Sequence, residues 1–461
     1  MKLELLIKRL EVLELRVANL EKRNISLKKE NIVLKERLSK YETQKNSRNS
    51  SIAPSKDENR PKANQSLRKP SGKKPGGQKG REGKTLEMTS TPDKIVELYP
   101  NYCRSCGSSL DKELAIKEQS RQVIDIPPIK AIFIEYQAFS TLCSCGCKNV
   151  ADFPKTVLAP VSYGSTIESL TAYLHARQYL PFARMKELFN DVFNVAISEG
   201  GIHCLLNRFA KKTTPVYELI KQRVASSSVV GSDETGIKVN GNRNWFWTWQ
   251  TPKATFIAHS SNRKNDTVKE HFPNGFPNST LVHDGWKPQL NTLAKNHQSC
   301  LPHLQRQLNY LNEKYKNNDW STTFLKLLYD ALDLKKKMNP KNYIDNTQRA
   351  ELIERLNQLL EKPPEIQHKE LFTFYKRMGR ERQHLFTFLF IAEVPADNNA
   401  SERAIRNVKV KQKISGQFKI QQAAQNFAKI RSIIDTTIKN EMNLLEALKL
   451  IAKFEVQIKT D

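Results

Sequence analysis

The chain has 461 residues, of which 75 are Lys or Arg and 48 are Asp or Glu, and its formal net charge is +27. This length predicts two or three domains, and the charge excess favours nucleic acid as the partner. Membrane association is disfavoured, because no apolar run approaches the ~18 residues of a spanning helix. The charged N-terminus does not resemble a signal peptide, so we expect a cytoplasmic protein. Seven cysteines, mostly clustered, indicate metal ligation in a reducing compartment rather than disulfides.

Residues 1–44 predict a parallel, two-stranded coiled coil and hence a homodimer. Apolar residues recur at alternating spacings of three and four residues, which is a heptad repeat. Asn24 and Asn31 occupy two of the a positions, where each Asn pairs with the same residue across a parallel seam. The alternative, a lone amphipathic helix packed on its own domain, is disfavoured by nearly six consistent heptads. The a positions are Leu3, Leu10, Val17, Asn24, Asn31 and Leu38, and the d positions are Leu6, Leu13, Leu20, Leu27, Leu34 and Tyr41.

Residues 45–90 predict a basic linker that is disordered when free. Between residues 45 and 84, twelve basic residues face three acidic ones, and Ser, Pro, Gly and Asn replace any apolar period. The basic string at residues 68–75 is suited to lie along a phosphate backbone or in a minor groove. A solvated linker that does not contact DNA is the alternative.

Residues 91–160 predict a small zinc-binding domain. Cys103 and Cys106 form a CxxC turn followed by Gly107, and a second cluster carries Cys143, Cys145 and Cys147. Paired cysteines in two turns indicate a tetrahedral, structural Zn²⁺ site, and residues 131–139 alternate like a strand between them. Cys143 and Cys145 are favoured for the second pair, although the spacing leaves Cys147 open.

Residues 161–226 predict helices with a break at residues 193–198. Two short helices around a tight turn form a helix-turn-helix reader of the major groove or simply pack against their own domain, and the sequence leaves both interpretations open.

Residues 227–461 place three carboxylates in distinct contexts. Asp233 lies on a strand that leads into an Asn240-Gly241 hairpin, and Trp245, Trp247 and Trp249 follow on a strand expected to face the core. Asp284 ends a later buried strand. Glu402 falls in the first two turns of a helix that Asp397 or Asn398 caps.

This order of elements is the ribonuclease H-like arrangement, which brings three carboxylates to one edge of a sheet. Hard oxygen ligands suit Mg²⁺ or Mn²⁺, and a metal pair stabilises the attacking and leaving oxygens of a phosphodiester displacement. We therefore expect Asp233, Asp284 and Glu402 to converge within roughly 4–8 Å. Adjacent residues on a strand point to opposite faces, so Glu234 is expected outside this set. A helical insertion at about residues 311–393 is expected to extend the DNA-binding surface.

Along nearly its whole length the chain resembles the large transposase of the insertion sequence 66 family, a branch of the Asp-Asp-Glu transposases. The resemblance is carried by the zipper, the arm at residues 76–80, the cysteine pairs, and the sequences around the three acids, most specifically Asn398-Asn399 through Glu402-Arg403. Leu142 departs from the family's second CxxC pair. The complete fold class is thus a multidomain α/β protein with a coiled coil, a zinc domain, a helical segment and a ribonuclease H-like core.

The resemblance implies that Asp233, Asp284 and Glu402 form the catalytic triad. Cys300 and His303 are similar to a Cys-x-x-His element of such transposases, which implies that His303 helps to place a water or to steady DNA. The basic residues that follow Glu402 are expected to hold phosphates; they are Arg403, Arg406, Lys409, Lys411 and Lys413. The implied partners are double-stranded DNA at the element ends and target, and small accessory proteins of the same element.

Two other functions compete with a transposase. A zipper, zinc site and basic arm alone describe a non-catalytic regulator, but this leaves the three carboxylates unexplained. A ribonuclease H-like nuclease or resolvase would cut DNA without joining it.

Overall fold

The computed structural model describes residues 2–50, 86–157, 159–316, 318–338 and 347–454, together with residues 52, 57, 80 and 82. It is a mixed α/β protein that begins with a long helix. The basic strings at residues 68–75 and 76–79 lie outside the described residues. Among the described residues, no helix combines the length and the apolar character needed to cross a membrane.

The strands are β1 (Ser140–Leu142), β2 (Lys148–Val150), β3 (Val229–Val239), β4 (Asn242–Gln250), β5 (Thr255–Ser260), β6 (Phe276–His283) and β7 (Ala294–Ser299). The first helices are α1 (Lys2–Glu42), α2 (Ser165–Ala176), α3 (Phe182–Phe193), α4 (Glu199–Lys212), α5 (Thr214–Ala225), α6 (Asn265–His271) and α7 (Lys287–Leu290). The later helices are α8 (Leu301–Lys314), α9 (Asp319–Lys337), α10 (Thr347–Glu361), α11 (Lys369–Glu381), α12 (Thr387–Phe390), α13 (Asn399–Ser415), α14 (Gln421–Lys439) and α15 (Leu444–Ala452).

Helix α1 covers the predicted zipper and lies against α8 near its C-terminal end. Glu36 accepts hydrogen bonds from Lys314 Nζ at 3.1 Å and from the Tyr315 hydroxyl at 2.8 Å. The buried Lys314 ammonium also pairs with Glu370 at 3.2 Å. Glu36 occupies heptad position f, opposite the a and d seam, so this contact leaves the seam uncovered.

The two cysteine clusters each lie at the tip of a hairpin. Tyr102 bridges Ser109 around the first cluster, and β1 pairs with β2 around the second. The predicted strand at residues 131–139 is wrong, because these residues form no strand and β1 begins only at Ser140. Alternating apolar residues require a neighbouring backbone before they form a strand. Residues 61–132 form a compact unit separate from residues 1–60 and 133–461.

Helices α2 to α5 confirm the predicted helical segment and its break. Pro181 precedes α3, Asn194 ends it with a left-handed φ of 51°, and the Ser198 hydroxyl caps α4 by accepting a hydrogen bond from the Gly201 N–H. Helices α2, α4 and α5 contact α14, whereas α3 packs on α2 and α4, and α5 and α14 contact β5. Burial of Ile202, Leu206 and Phe209 shows that α4 serves the core.

Within the described residues, β3 to β7 form a five-stranded mixed sheet in the order β5-β4-β3-β6-β7. The strands β3, β4 and β5 are antiparallel neighbours, whereas β3, β6 and β7 run parallel. Trp247 and Trp249 are buried at 0% and 1% exposure, which confirms the prediction that this strand belongs to the core. The central strand β3 therefore has a hairpin partner on one side and a parallel partner on the other.

Between β7 and α13 the chain forms the predicted helical insertion. Helices α9, α10 and α11 build a core of their own around Trp320, Phe324 and Phe374, and this core continues to Leu301 and Val282. The insertion is therefore packed against α8 and the sheet rather than tethered by loops.

Candidate functional site

Asp233 lies on the central strand β3, where it is paired with Thr248 of β4. The hairpin that follows has positive φ at both central residues, 46° at Asn240 and 75° at Gly241, as the Asn-Gly signal predicts. Asp233 Oδ1 accepts a hydrogen bond from the Glu234 backbone N–H at 2.8 Å. The carboxylate is thus held on the rigid centre of the sheet.

Asp284 follows directly after β6, at the end of the strand parallel to β3. The register pairs Val229 with Thr280 and Gly231 with Val282, and its continuation by two residues brings Asp284 beside Asp233. Asp284 Oδ1 accepts a hydrogen bond from the Trp286 N–H at 3.0 Å. The turn after the carboxylate requires Gly285, whose φ is 88°.

Glu402 is brought to the same strand by the start of α13. The Asn398 side-chain amide donates to the Ser232 carbonyl at 2.7 Å, and the Ser401 hydroxyl donates to Asn398 Oδ1 at 2.6 Å. Gly231 permits this approach, because a Cβ there would lie 2.5 Å from Ser401 Oγ. The predicted cap is shared: Asp397 caps the Asn399 N–H, whereas the Asn398 side chain anchors the helix to β3.

The pKa of Asp233 depends on the charges of the other two acids. Burial raises the pKa of Asp233 well above its usual range, and the charges of Asp284, Glu234 and Glu402 raise it further. A carboxylate charge raises the pKa of another acid in this way only when the two groups are near each other. Asp284 and Glu402 therefore lie near enough to Asp233 for their charges to act on it, although the three acids are far apart in the sequence; we call their surroundings the carboxylate pocket.

Glu234 has a different set of partners from Asp233. It is buried, accepts hydrogen bonds from Gln289 at 2.5 Å and from Arg263 Nε at 2.7 Å, and pairs closely with the Arg263 guanidinium. Burial, with the charge of Asp284, raises the pKa of Glu234 to about 7 in spite of Arg263. Glu234 thus serves a buried polar network beside the carboxylate pocket.

His303 lies on α8 beside Glu402, with its Nδ1 3.9 Å from Glu402 Oε1. Arg306, one turn later on α8, approaches the same oxygen at 3.8 Å, and Arg406 approaches the other at 3.6 Å. Burial and the charge of Arg306 lower the pKa of His303, against the charges of Asp284 and Glu402. The imidazole is therefore favoured in its neutral form.

The basic residues after Glu402 divide into accessible and inaccessible groups. Arg403, Arg406 and Lys413 are exposed on α13, whereas Lys409 is partly buried and donates to the Gly236 carbonyl at 2.6 Å. The expectation that Lys411 holds a phosphate does not fit the structure. Lys411 is 4% exposed and its Nζ lies 3.4 Å from His175 Nδ1, because this position of α13 faces α2.

The cysteine turns have similar local geometry. Each contains a glycine with positive φ, 74° at Gly107 and 83° at Gly146. Hydrogen bonds from Ser108 and Cys103 lower the pKa of the Cys106 thiol to about 7, and those from Cys145 and Ser144 lower that of Cys143. Each turn by itself thus favours thiolates, the form that binds a metal.

Sequence reasoning missed several residues of this site. Arg306 lies three residues after His303, a spacing that places both on one helical face and could have indicated it. No sequence signal indicated that the Asn398 amide anchors α13 or that His297 Nδ1 lies 3.0 Å from His283 Nε2 below Asp284. Those contacts depend on which strands become neighbours.

Residues 160–426, which are more than half of the chain, match the Transposase IS66 family. The chain belongs to this family of transposases. Residues 4–87, which include α1, match a family of unknown function. None of the curated proteins compared with the chain matches it.

Membership of the IS66 family gives the chain a transposase role in general terms, and with it DNA as a partner and divalent metal as a general requirement of such enzymes. The matched residues include β3 to β7, α8 and the first part of α14. The carboxylate pocket therefore lies inside the part of the chain that establishes the family.

Proposed function

We propose that the chain binds the ends of its mobile element and catalyses metal-dependent DNA cleavage followed by strand transfer at Asp233, Asp284 and Glu402. The observation that carries this proposal is the raised pKa of Asp233, to which both other carboxylates contribute. The repulsion between these charges and the buried Asp233 carboxylate is a cost to the fold that divalent cations relieve. The proposal therefore assigns a function to an otherwise unfavourable arrangement.

The sheet supports an Asp-Asp-Glu mechanism on a ribonuclease H-like core. One acid lies on the central strand, the second ends its parallel neighbour, and the third lies on a helix anchored to that central strand. Rigid elements thus supply every member of the set, as in-line phosphodiester chemistry requires. The oxygen-only donor set fits Mg²⁺ or Mn²⁺, which would supply charge neutralisation and activation of the attacking oxygen when bound.

The chain's own residues orient the reaction. Asp233, Asp284 and Glu402 would hold the metal pair, and neutral His303 would position the attacking water or the DNA beside Glu402. Arg403, Arg406 and Lys413 extend from the same helix and would hold phosphates of the element end. Water opens the phosphodiester to leave a 3′-hydroxyl, and this hydroxyl then attacks a phosphodiester of target DNA.

The decisive experiment replaces each acid by its amide, which keeps its size but removes the negative charge that holds the metal. Asp233→Asn, Asp284→Asn and Glu402→Gln are each expected to abolish cleavage of element-end DNA in Mg²⁺, with end binding nearly unchanged. Asp266→Asn, at an exposed position of α6, is the matched control and should cleave normally. Cleavage that survives any of the three site substitutions would contradict the proposal.

A second substrate separates this function from its rivals. DNA with a pre-cleaved end should be joined to target DNA by the wild-type chain and not by Glu402→Gln. Cleavage without joining would indicate a nuclease, and neither reaction would indicate a non-catalytic regulator.

We further propose that α1 forms a parallel homodimer with a second copy of this chain. From Leu10 to Tyr41 its a and d residues are exposed, with Leu13 at 57% and Tyr41 at 81%, whereas its outer face contacts α8 through Glu36. An apolar stripe of this length is costly in water and is covered by the same stripe of a parallel partner. Because Lys314 ties α1 to α8, the dimer would also constrain the two catalytic units.

We also propose a structural Zn²⁺ held by Cys103, Cys106, Cys143 and Cys145, supported by the thiolate-favouring turn at each cluster. Cys103→Ser with Cys106→Ser should remove one zinc ion per chain and unfold this region locally, because metal binding and folding are coupled. Metal analysis checks the loss, with the exposed Cys204→Ser as control. Full zinc content in the double variant would exclude the assignment.

A further inference from the structure

The start of α8 presents a second set of metal-binding groups beside the carboxylate pocket. Cys300 immediately precedes the helix and His303 lies in its first turn, so that the two side chains share one face. Glu402 of α13 completes the set. One ligand atom from each of Cys300, His303 and Glu402 lies within 4.8 Å of the other two.

Backbone contacts hold this set in place from both sides. The Cys300 N–H donates to the His283 carbonyl at 2.8 Å, and the Leu301 N–H donates to the Ala396 carbonyl at 3.0 Å. Cys300 Sγ accepts a hydrogen bond from the Asn398 N–H at 3.3 Å and is buried, with the residue 1% exposed. The thiol is therefore fixed between the end of β6 and the segment that begins α13.

The His303 ring supplies an observation that points to a missing ligand. Its Nδ1 is buried without a hydrogen-bond partner, and the 3.9 Å to Glu402 Oε1 is too long for a hydrogen bond. A buried polar atom left unpaired loses its hydrogen bonds to water without replacing them, which destabilises the fold. A cation between Nδ1 and the carboxylate would satisfy the ring nitrogen, and Cys300 is near enough to this pair of residues to supply a third ligand.

The chemistry of the donors selects the class of metal. A thiolate, an imidazole and a carboxylate suit Zn²⁺, whereas Mg²⁺ prefers oxygen ligands alone. Zinc bonds of about 2.0–2.3 Å separate ligand atoms by roughly 3.5 Å, so Nδ1 and Oε1 need to close only slightly. Arg306 opposes a cation here, and burial raises the pKa of the Cys300 thiol to about 12. A bound metal displaces the thiol proton, and the resulting thiolate and the carboxylate together supply two negative charges.

We propose that Cys300, His303 and Glu402 bind one zinc-class ion, and that this ion inhibits DNA cleavage by withdrawing Glu402 from the oxygen-ligand set. The three side chains fill three tetrahedral positions and leave the fourth to water. Binding breaks the Cys300 S–H bond and releases its proton to solvent, while the sulfur electron pair forms the metal bond. The inhibition rests on the proposed function, whereas the binding does not.

The first test measures binding of zinc itself to the full chain. Zinc-free protein is titrated with Zn²⁺ in competition with a chromophoric chelator. Cys300→Ser and His303→Asn should each lose one zinc ion per chain or bind it more than about 100-fold more weakly. Cys204→Ser and His259→Gln are matched controls and should retain it; the Cys103 and Cys143 clusters contribute equally to every protein.

Cobalt adds a readout specific to the sulfur ligand. The thiolate-to-cobalt absorption per chain should fall in Cys300→Ser and remain unchanged in Cys204→Ser. Circular dichroism monitors folding, and His303→Asn decides the matter if Cys300→Ser does not fold. Equal zinc affinity and stoichiometry in wild type and His303→Asn would overturn the proposal.

The second test measures Mg²⁺-dependent cleavage at rising Zn²⁺, with each protein normalised to its own zinc-free rate. The Zn²⁺ concentration for half inhibition should be at least about 10-fold higher in Cys300→Ser than in Cys204→Ser. If the wild-type chain cleaves DNA but binds zinc as Cys300→Ser does, this zinc site is refuted and the proposed function is not affected. Suppose instead that Cys300→Ser binds one zinc ion fewer but neither it nor the wild-type chain cleaves DNA. That result would refute the proposed function and the inhibition of cleavage by zinc, and it would support the zinc site itself.

Discussion

Helices α1 and α13 both carry an apolar face, yet the chain covers only one of the two faces within its described residues. Ala404, Ile405 and Val408 of α13 are buried, and the helix contacts β3 and β4. On α1, by contrast, Leu20 remains 65% exposed, and the contact with α8 is made by the opposite face. The same kind of pattern is thus satisfied inside one chain in α13 and requires a second chain in α1.

The polar residues on the two helices explain the difference. In α1 the polar residues on the seam are Asn24 and Asn31, which are satisfied by the same residues of a parallel partner. In α13 the polar groups at the start find partners in this chain, since Ser401 donates to Asn398 and the Asn398 amide donates to the Ser232 carbonyl. The apolar face of a helix shows which side of it packs. The polar residues on that side indicate whether the partner is the same chain or a second copy.

The largest effect is expected where α13 meets the sheet. An alanine Cβ at Gly231 would lie 2.5 Å from both Gln250 Nε2 and Ser401 Oγ, so Gly231→Ala must push the start of α13 outward. Displacement of Glu402 by about 1 Å should lower cleavage by about 100-fold, and the overpacking should cost about 1–3 kcal/mol. Cleavage assays and urea unfolding measure the two effects.

Gly236→Ala, in the same strand, is the matched control, because the nearest atom to its Cβ is Arg243 Nε at an ordinary 3.5 Å. It should retain cleavage. Equal activity in the two variants would show that the close approach of α13 to β3 does not position Glu402.

The second effect concerns the seam of α1. Leu20→Glu with Leu27→Glu places charges at two d positions and should convert the full chain from dimer to monomer at tens of micromolar. Sedimentation velocity measures the change. Ala18→Glu with Ile25→Glu introduces the same side chains at outer b positions and should remain dimeric.

A second control keeps the seam apolar. Asn24→Val with Asn31→Val should stay associated and melt at a higher temperature, with a weaker preference for two strands. A wild-type chain that sediments as a monomer at these concentrations would refute the homodimer.

The smallest effect tests the interior of α13. Burial lowers the pKa of Lys411 to about 8, below the 10.5 of an unfolded lysine, so that charging Lys411 costs stability in the folded state. Between about pH 8 and 10.5 the unfolded chain binds more protons, and this contribution to stability rises with pH. Lys411→Met should therefore raise the free energy of unfolding by about 1–3 kcal/mol at pH 7, and the gain should fade by pH 10.5.

Chemical unfolding between pH 7 and 10.5 measures this gain, with Lys413→Met at an exposed position of α13 as the control. A gain that is constant over this range would mean that Lys411 is not charged at a cost in the folded protein. The comparison also separates the buried Lys411 from Lys413, which is exposed on the same helix.

Much of the molecule could be predicted from local signals alone. The heptads of α1, the Asn240-Gly241 hairpin, the strand of Asp233 and the helix of Glu402 each depend on residues within a few positions of one another. The two Cys-Gly turns are likewise local, because Gly107 and Gly146 supply the positive φ that each turn needs. Short-range backbone preferences determine such features before any tertiary contact forms.

Other features depended on partners distant in the sequence. The polar strand β7 has no strand-like alternation and exists because β6 lies beside it, whereas residues 131–139 alternate but have no paired neighbour. In the sequence Lys411 does not differ from the other basic residues of α13, and it is buried only because α2 packs against it. The sequence by itself determined which residues bear the chemistry; the tertiary structure decided that Cys300, His303 and Glu402 meet, because backbone contacts across the fold bring α8 and α13 together.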